Sequence, residues 1–134
     1  MSRFIPLLLL GALFMTPAQT SGQAQEGLGF YRFPDLPGST VVFAAEGDLW
    51  RVPITGGVAQ RLTTHPGEER YPRVSPDGTT LAFSAQYEGP TELYTMPLGG
   101  GLPIRRTYEA EASNATTWAP DGRLVYTTTH FATL

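Results

Sequence analysis

Two stretches of this chain superimpose on each other at one fixed offset, and that repeat limits the folds open to it more than any other feature. Leu49-Trp50 recurs as Leu93-Tyr94, Pro53 as Pro97, Gly56-Gly57 as Gly100-Gly101 and Arg61 as Arg105. Val74-Ser75-Pro76-Asp77-Gly78 recurs as Trp118-Ala119-Pro120-Asp121-Gly122, and every one of these pairs is 44 residues apart. Upstream, Gly38 and Phe43 precede Gly78 and Phe83 by 40, so the second unit carries four extra residues around Tyr87-Glu88-Gly89-Pro90. A period of about 40–45 residues with several short strands per unit marks the blades of a β-propeller.

Composition agrees with short strands and many turns. Fifteen Gly and twelve Pro are many for 134 residues, and no segment after residue 25 carries a sustained helical apolar period. The fold class is therefore all-β, a partial propeller of four-stranded antiparallel blades. Ser75-Pro76-Asp77-Gly78 has the residue preferences of a type I turn. It is expected to join a short strand ending at Val74 to a strand at Thr80–Ser84. The loop Ala85–Thr91 then leads to Glu92–Met96, and Gly99-Gly100-Gly101 turns the chain into Pro103–Thr107. The first unit repeats this with strands at Val41–Ala44, Asp48–Val52 and Ala59–Thr63. Pro120, Asp121 and Gly122 open a third unit, in which Leu124-Val125-Tyr126 stands where Leu81-Ala82-Phe83 stood. The units run at about 38–77, 78–121 and 122–134, so an incomplete propeller of about two and a half blades fills residues 25–134. Closed propellers need about 4–8 blades, so the chain reads as a fragment of a longer protein. Phe43, Leu49, Trp50, Phe83, Leu93, Tyr94, Trp118 and Tyr126 are the candidate blade core, as alternating apolar positions between neighbouring sheets.

The first 24 residues read as a Sec-type signal peptide. Arg3 precedes an apolar run from Ile5 to Met15, and small Gly22 and Ala24 stand at the −3 and −1 positions for cleavage before Gln25. The run is too short for the about 20 residues that cross a bilayer. The expected location is periplasmic or secreted, with no membrane attachment after cleavage.

Chemistry-bearing residues are sparse. Cys is absent, which excludes disulfides, thiolate metal sites and a Cys nucleophile. The nine basic residues are all Arg and scattered, with a net charge of −3, so no nucleic-acid surface is expected. Of the two His, His65 sits in a Thr-Thr-His-Pro-Gly turn and His130 near the end; neither belongs to a Gly-x-Ser-x-Gly elbow. His65 is read as a solvated loop residue. Asp48 and Glu92 stand at equivalent hairpin ends and are read as satisfying backbone amides or water. Glu68-Glu69-Arg70 and Glu109-Ala110-Glu111 are read as solvated loops leading into first strands. Arg105-Arg106 suits a strand-end salt bridge, and Asn114-Ala115-Thr116 is read as a loop. No catalytic, cofactor-binding or metal-ligating residue is assigned.

The unit Ser-Pro-Asp-Gly, apolar–Phe, Asp/Glu-Leu-Trp/Tyr, Pro, Gly-Gly and Arg-Leu-Thr resembles the propeller repeat shared by TolB and the tricorn proteases. Phe30-Tyr31-Arg32-Phe33-Pro34, Val41-Val42-Phe43 and Gly47-Asp48-Leu49-Trp50-Arg51-Val52-Pro53 narrow the resemblance to the start of bacterial tricorn-like proteases. Gly56-Gly57-Val58-Ala59-Gln60-Arg61-Leu62-Thr63 and Pro72-Arg73-Val74-Ser75 continue it, over about residues 29–126. The resemblance implies two propellers, a PDZ-like domain and a C-terminal serine-peptidase domain in one polypeptide that forms homo-oligomers. It implies peptide substrates, gated or guided by the propellers, with the nucleophile in the C-terminal part. No catalytic residue carries over, so this chain alone is expected to be inactive. A TolB-like periplasmic propeller acting as a non-catalytic protein-binding module is the alternative.

Overall fold

The structure, a computed structural model, describes residues 29–129. The expected signal peptide at 1–24, its cleavage site and His130 lie outside the described residues.

Ten strands and no helix make up the described chain. The first sheet contains β1 (Arg32–Asp35), β2 (Thr40–Ala45), β3 (Asp48–Pro53) and β4 (Gln60–Arg61), in that order. The second contains β5 (Glu69–Val74), β6 (Thr80–Ala85), β7 (Glu92–Pro97) and β8 (Ile104–Arg105), again in sequence order. β9 (Ser113–Trp118) and β10 (Leu124–Thr128) form a two-stranded sheet. All pairs are antiparallel. Each sheet begins one strand before its Pro-Gly or Pro-Asp-Gly turn, so the structural sheets are out of phase with the sequence units.

The repeat carries through to register. Phe43 pairs with Trp50 and Phe83 with Tyr94, while Trp50 pairs with Arg61 and Tyr94 with Arg105. The four extra residues fall in the β6–β7 connection, where the first sheet has only Glu46-Gly47. Both of those residues lie at positive φ, 55° and 89°, which suits the tight primed turn of a two-residue hairpin. The last strands are shorter than expected, two residues each instead of five, because Gln60–Arg61 and Ile104–Arg105 alone pair with the strand before them.

Ser75, Pro76, Asp77 and Gly78 form the β5–β6 turn. Gly78 N–H donates to Ser75 O at 2.8 Å, and Asp77 Oδ1 accepts from Ser75 Oγ at 2.5 Å and Thr79 N at 3.1 Å. Those donors, the Ser75 hydroxyl foremost, hold the Asp77 carboxyl below its ordinary range. Pro120, Asp121 and Gly122 make the corresponding β9–β10 turn, with Gly122 N–H on Ala119 O at 2.9 Å.

β1 lies against β5 and β5 against β9, so the first strands of successive sheets are neighbours, as they are around a propeller axis. The core lies between the first two sheets and contains Val42, Leu49, Val74, Leu81, Phe83, Tyr94 and Met96. Phe43 and Leu93 are also buried, whereas Trp50 and Trp118 are half-buried and Tyr126 is 37% exposed on β10. Each Trp spends its indole N–H on a backbone carbonyl, Trp50 on Ala45 and Trp118 on Arg73, which keeps the ring at the edge of the core.

Candidate functional site

Polar chemistry concentrates where one sheet hands the chain to the next. In the first seam, the β2–β3 turn starts β3 at Asp48, which is 4% exposed and ion-paired to Arg61 on β4. The chain leaving β4 then folds back so that Thr63 Oγ1 accepts the Leu49 N–H at 2.9 Å and donates its own proton to Glu69. Glu69 opens β5, and its N–H donates to Gly47 O at 2.9 Å. Tyr87, from the longer β6–β7 loop, donates its hydroxyl to the same carboxyl. Three segments therefore meet on one side chain.

The second seam repeats this plan with different residues. Leu93 N–H donates to Thr107 Oγ1 at 2.9 Å, and Thr107 donates to Glu92. Glu92 also accepts Arg105 Nη2 at 2.8 Å and the Ala110 N–H at 3.3 Å. Position 113, equivalent to Glu69, is Ser. Glu92 has one methylene more than Asp48, so it reaches the threonine itself; in the first seam Glu69 of the following strand supplies that carboxylate instead.

These contacts correct several expectations. Glu69 is not solvated: it is 1% exposed, because β5 starts at Glu69 and its alternation turns that side chain inward while Glu68 and Arg70 pair outside. Glu92 is held by a guanidinium and a hydroxyl more than by backbone amides. Asn114-Ala115-Thr116 lies on β9, where the Ala115 N–H donates to Ser84 Oγ at 2.9 Å and draws the segment onto β6. Arg105 makes the expected strand-end salt bridge, with Glu92 and at 3.4 Å with Glu88.

Burial pushes the Glu69 carboxyl above its ordinary range, opposed by the Thr63 and Tyr87 hydroxyls and reinforced by the nearby Asp48. Burial and the Glu69 carboxylate push the Tyr87 phenol up as well. Asp48 Oδ1 is buried and has no hydrogen-bond partner among the described residues. Such an atom carries a desolvation penalty that a neighbouring proton would relieve.

Beside the first seam lies a groove of about 580 Å³, whose walls include Leu62, His65, Tyr87, Tyr94, Leu102 and Arg105. His65 is exposed to solvent and lies tilted against Tyr87 with ring centroids 3.8 Å apart, and Tyr87 contacts Tyr94 at 4.5 Å. His65 Nδ1 accepts the Gly67 N–H at 2.9 Å, so it is engaged with backbone instead of activating a hydroxyl. Gly67 itself passes so near the β6–β7 loop that a Cβ there would stand 2.1 Å from Gln86 O. Among the described residues, no group of three or more His, Cys, Asp and Glu is placed to hold a metal ion. Among the described residues, the arrangement fastens one sheet to the next through Thr63, Glu69 and Tyr87 in the first seam and Thr107 and Glu92 in the second.

The seam leaves only a faint mark in the sequence. The recurrence of Thr63 as Thr107, again 44 apart, was the available signal.

Comparison with known proteins places the fold in a family. The profile of the tricorn protease N-terminal beta propeller domain matches residues 28–133. Tricorn protease homolog 1 of Streptomyces coelicolor is 34% identical over 102 residues, covering 75% of this chain and 10% of that protein. The tricorn protease homolog of Saccharolobus solfataricus is 31% identical over 55 residues, 41% of this chain and 5% of that protein. This chain thus spans a tenth or less of the length of these two relatives. Among solved structures, the tricorn protease superimposes with a TM-score of 0.66 at 22% identity, over 73% of this chain and 11% of that one. A structure described as a TolB from Agrobacterium tumefaciens gives a TM-score of 0.66 at 27% identity, over 73% of this chain and 38% of that one. With its three sheets in propeller order and residues 28–133 matched, the chain belongs to the tricorn protease N-terminal β-propeller family.

Proposed function

We propose that these residues form the first blades of the N-terminal propeller of an exported tricorn-like serine peptidase, where they gate or guide peptides toward a catalytic domain elsewhere in the same polypeptide. The observation that carries this reading is the family match over residues 28–133, supported by 34% identity to a tricorn protease homolog. The nucleophile and its partners belong to the C-terminal protease domain, and the full-length polypeptide is a homo-oligomer that takes peptide substrates. The segment at 1–24 directs export and is removed before Gln25.

Expression of the full-length polypeptide tests this. A serine-hydrolase probe labels it, and deletion of residues 28–133 preserves labelling while changing selectivity for peptide length. Loss of the probe signal from the intact polypeptide overturns the peptidase assignment. Unchanged length selectivity in the deletion variant overturns the guiding role. The 134-residue chain alone is expected to take up no probe.

The TolB likeness favours a second reading, a non-catalytic periplasmic platform for protein binding. An intact polypeptide that captures partner proteins yet never labels supports it.

A further inference from the structure

Pro-Asp-Gly occurs twice, in the β5–β6 and β9–β10 turns, and the two aspartates are held differently. An aspartyl carboxyl can close a five-membered ring on the next backbone nitrogen, and a glycine there offers the least steric hindrance. Both glycines lie at positive φ, 72° and 84°, with open space around them. Each glycine N–H closes its turn on the carbonyl three residues back, at 2.8 Å and 2.9 Å. Both aspartates are exposed, so access to water does not separate them either.

The carboxyl contacts do separate them. Asp77 Oδ1 takes three donors: Ser75 Oγ at 2.5 Å, Thr79 Oγ1 at 2.9 Å and Thr79 N at 3.1 Å. Ser75 is 7% exposed, and its hydroxyl accepts the Thr80 N–H at 2.9 Å, so this clamp is anchored in the hairpin. In the third unit Ala119 stands at the Ser75 position and supplies no hydroxyl. Among the described residues Asp121 is held by Arg123 alone, through its N–H at 3.2 Å and its guanidinium at 2.8 Å. That Arg123 side chain is 82% exposed, where an ion pair restrains little.

We propose that Asp121-Gly122 is a site of spontaneous backbone rearrangement to isoaspartate, and that the Ser75 clamp protects the equivalent Asp77-Gly78. Gly122 N attacks Asp121 Cγ. The new C–N bond forms as the Cγ–OH bond breaks, and the hydroxyl leaves as water with the amide proton. Water then opens the succinimide. Attack at Cγ breaks the new bond and restores aspartate. Attack at the Asp121 main-chain carbonyl breaks the original peptide bond, and the chain then runs through Cγ with one more backbone carbon. That carbon lengthens the turn that sets Trp118 opposite Leu124, next to the Trp118 indole contact with Arg73 of β5.

Mass spectrometry of the full-length polypeptide tests the proposal, after storage folded at neutral pH in heavy-oxygen water and trypsin digestion in ordinary water. Each ring opening leaves one heavy oxygen on the residue. The fragments Thr107–Arg123 and Val74–Arg105 report Asp121 and Asp77 separately. Label is expected at Asp121 at least about tenfold faster than at Asp77, the worth of one hydrogen bond to a charged group. The labelled Thr107–Arg123 fragment should split into two chromatographic species of equal mass, aspartate and isoaspartate. Ala119→Ser, which supplies the missing hydroxyl, slows labelling at Asp121. Ser75→Ala raises it at Asp77, and if that variant unfolds, Ala119→Ser decides alone. Equal labelling at the two sites, no label at Asp121, or Ala119→Ser labelling at the wild-type rate overturns the proposal.

Discussion

Replacing Thr107 with Val removes one hydroxyl from the second seam and keeps the shape of the side chain. Thr107 is 7% exposed and accepts the Leu93 N–H at 2.9 Å, with Leu93 itself 1% exposed. Both residues are almost fully buried, so the orphaned N–H costs about 1–3 kcal/mol. Glu92 loses the Thr107 proton too, but keeps Arg105 at 2.8 Å and Ala110 N at 3.3 Å, so only a fraction of a charged hydrogen bond is lost. Together the change is worth roughly 2–4 kcal/mol. Native-state hydrogen exchange of the Leu93 amide in the full-length polypeptide reads it directly, as loss of protection against wild type. Thr55→Val, exposed in the β3–β4 connection, is the control and should stay within about 0.5 kcal/mol. A Thr107→Val effect no larger than that control would refute the idea that these threonines fasten the blades.

Phe83→Ala empties a site that is 0% exposed between the first two sheets and should cost about 3–5 kcal/mol in denaturant unfolding; a cost below about 1 kcal/mol would contradict the core assignment. Gly67→Ala puts a Cβ 2.1 Å from Gln86 O and should destabilise by about 1–3 kcal/mol, as a lowered thermal midpoint, whereas Gly99→Ala, with open space around it, should be nearly silent. Asp77 titrates below its ordinary 3.8, so its contribution is complete above that value and vanishes as pH falls through the lower folded one. The stability gap between wild type and Asp77→Asn should accordingly shrink in acid; a gap that widens there would be wrong in sign.

The sheets were largely legible because a repeat is a local signal read twice. Turn residues at Ser75–Gly78 and Pro120–Gly122, together with apolar–aromatic pairs 44 apart, are enough to place the hairpins without knowledge of what packs where. The seam was not legible, because its geometry depends on the partner of each residue and not on its type. Glu68-Glu69-Arg70 looks like any charged loop. Only the start of β5 at Glu69 decides that the middle acid points inward and the outer two do not. Tyr87 was harder still, since it lies in the four-residue insertion and has no counterpart in the first unit. Among the described residues Trp50 and Trp118 are half-buried, each with its indole N–H on a backbone carbonyl, Ala45 O and Arg73 O.

An experimental structure of the full-length polypeptide tests the propeller assignment most directly. The account predicts two successive four-stranded antiparallel sheets, with Phe43 opposite Trp50 and Phe83 opposite Tyr94, and with Thr63 and Thr107 in equivalent seams. Sheets that pair in any other register, or first strands that fail to pack side by side, would contradict it.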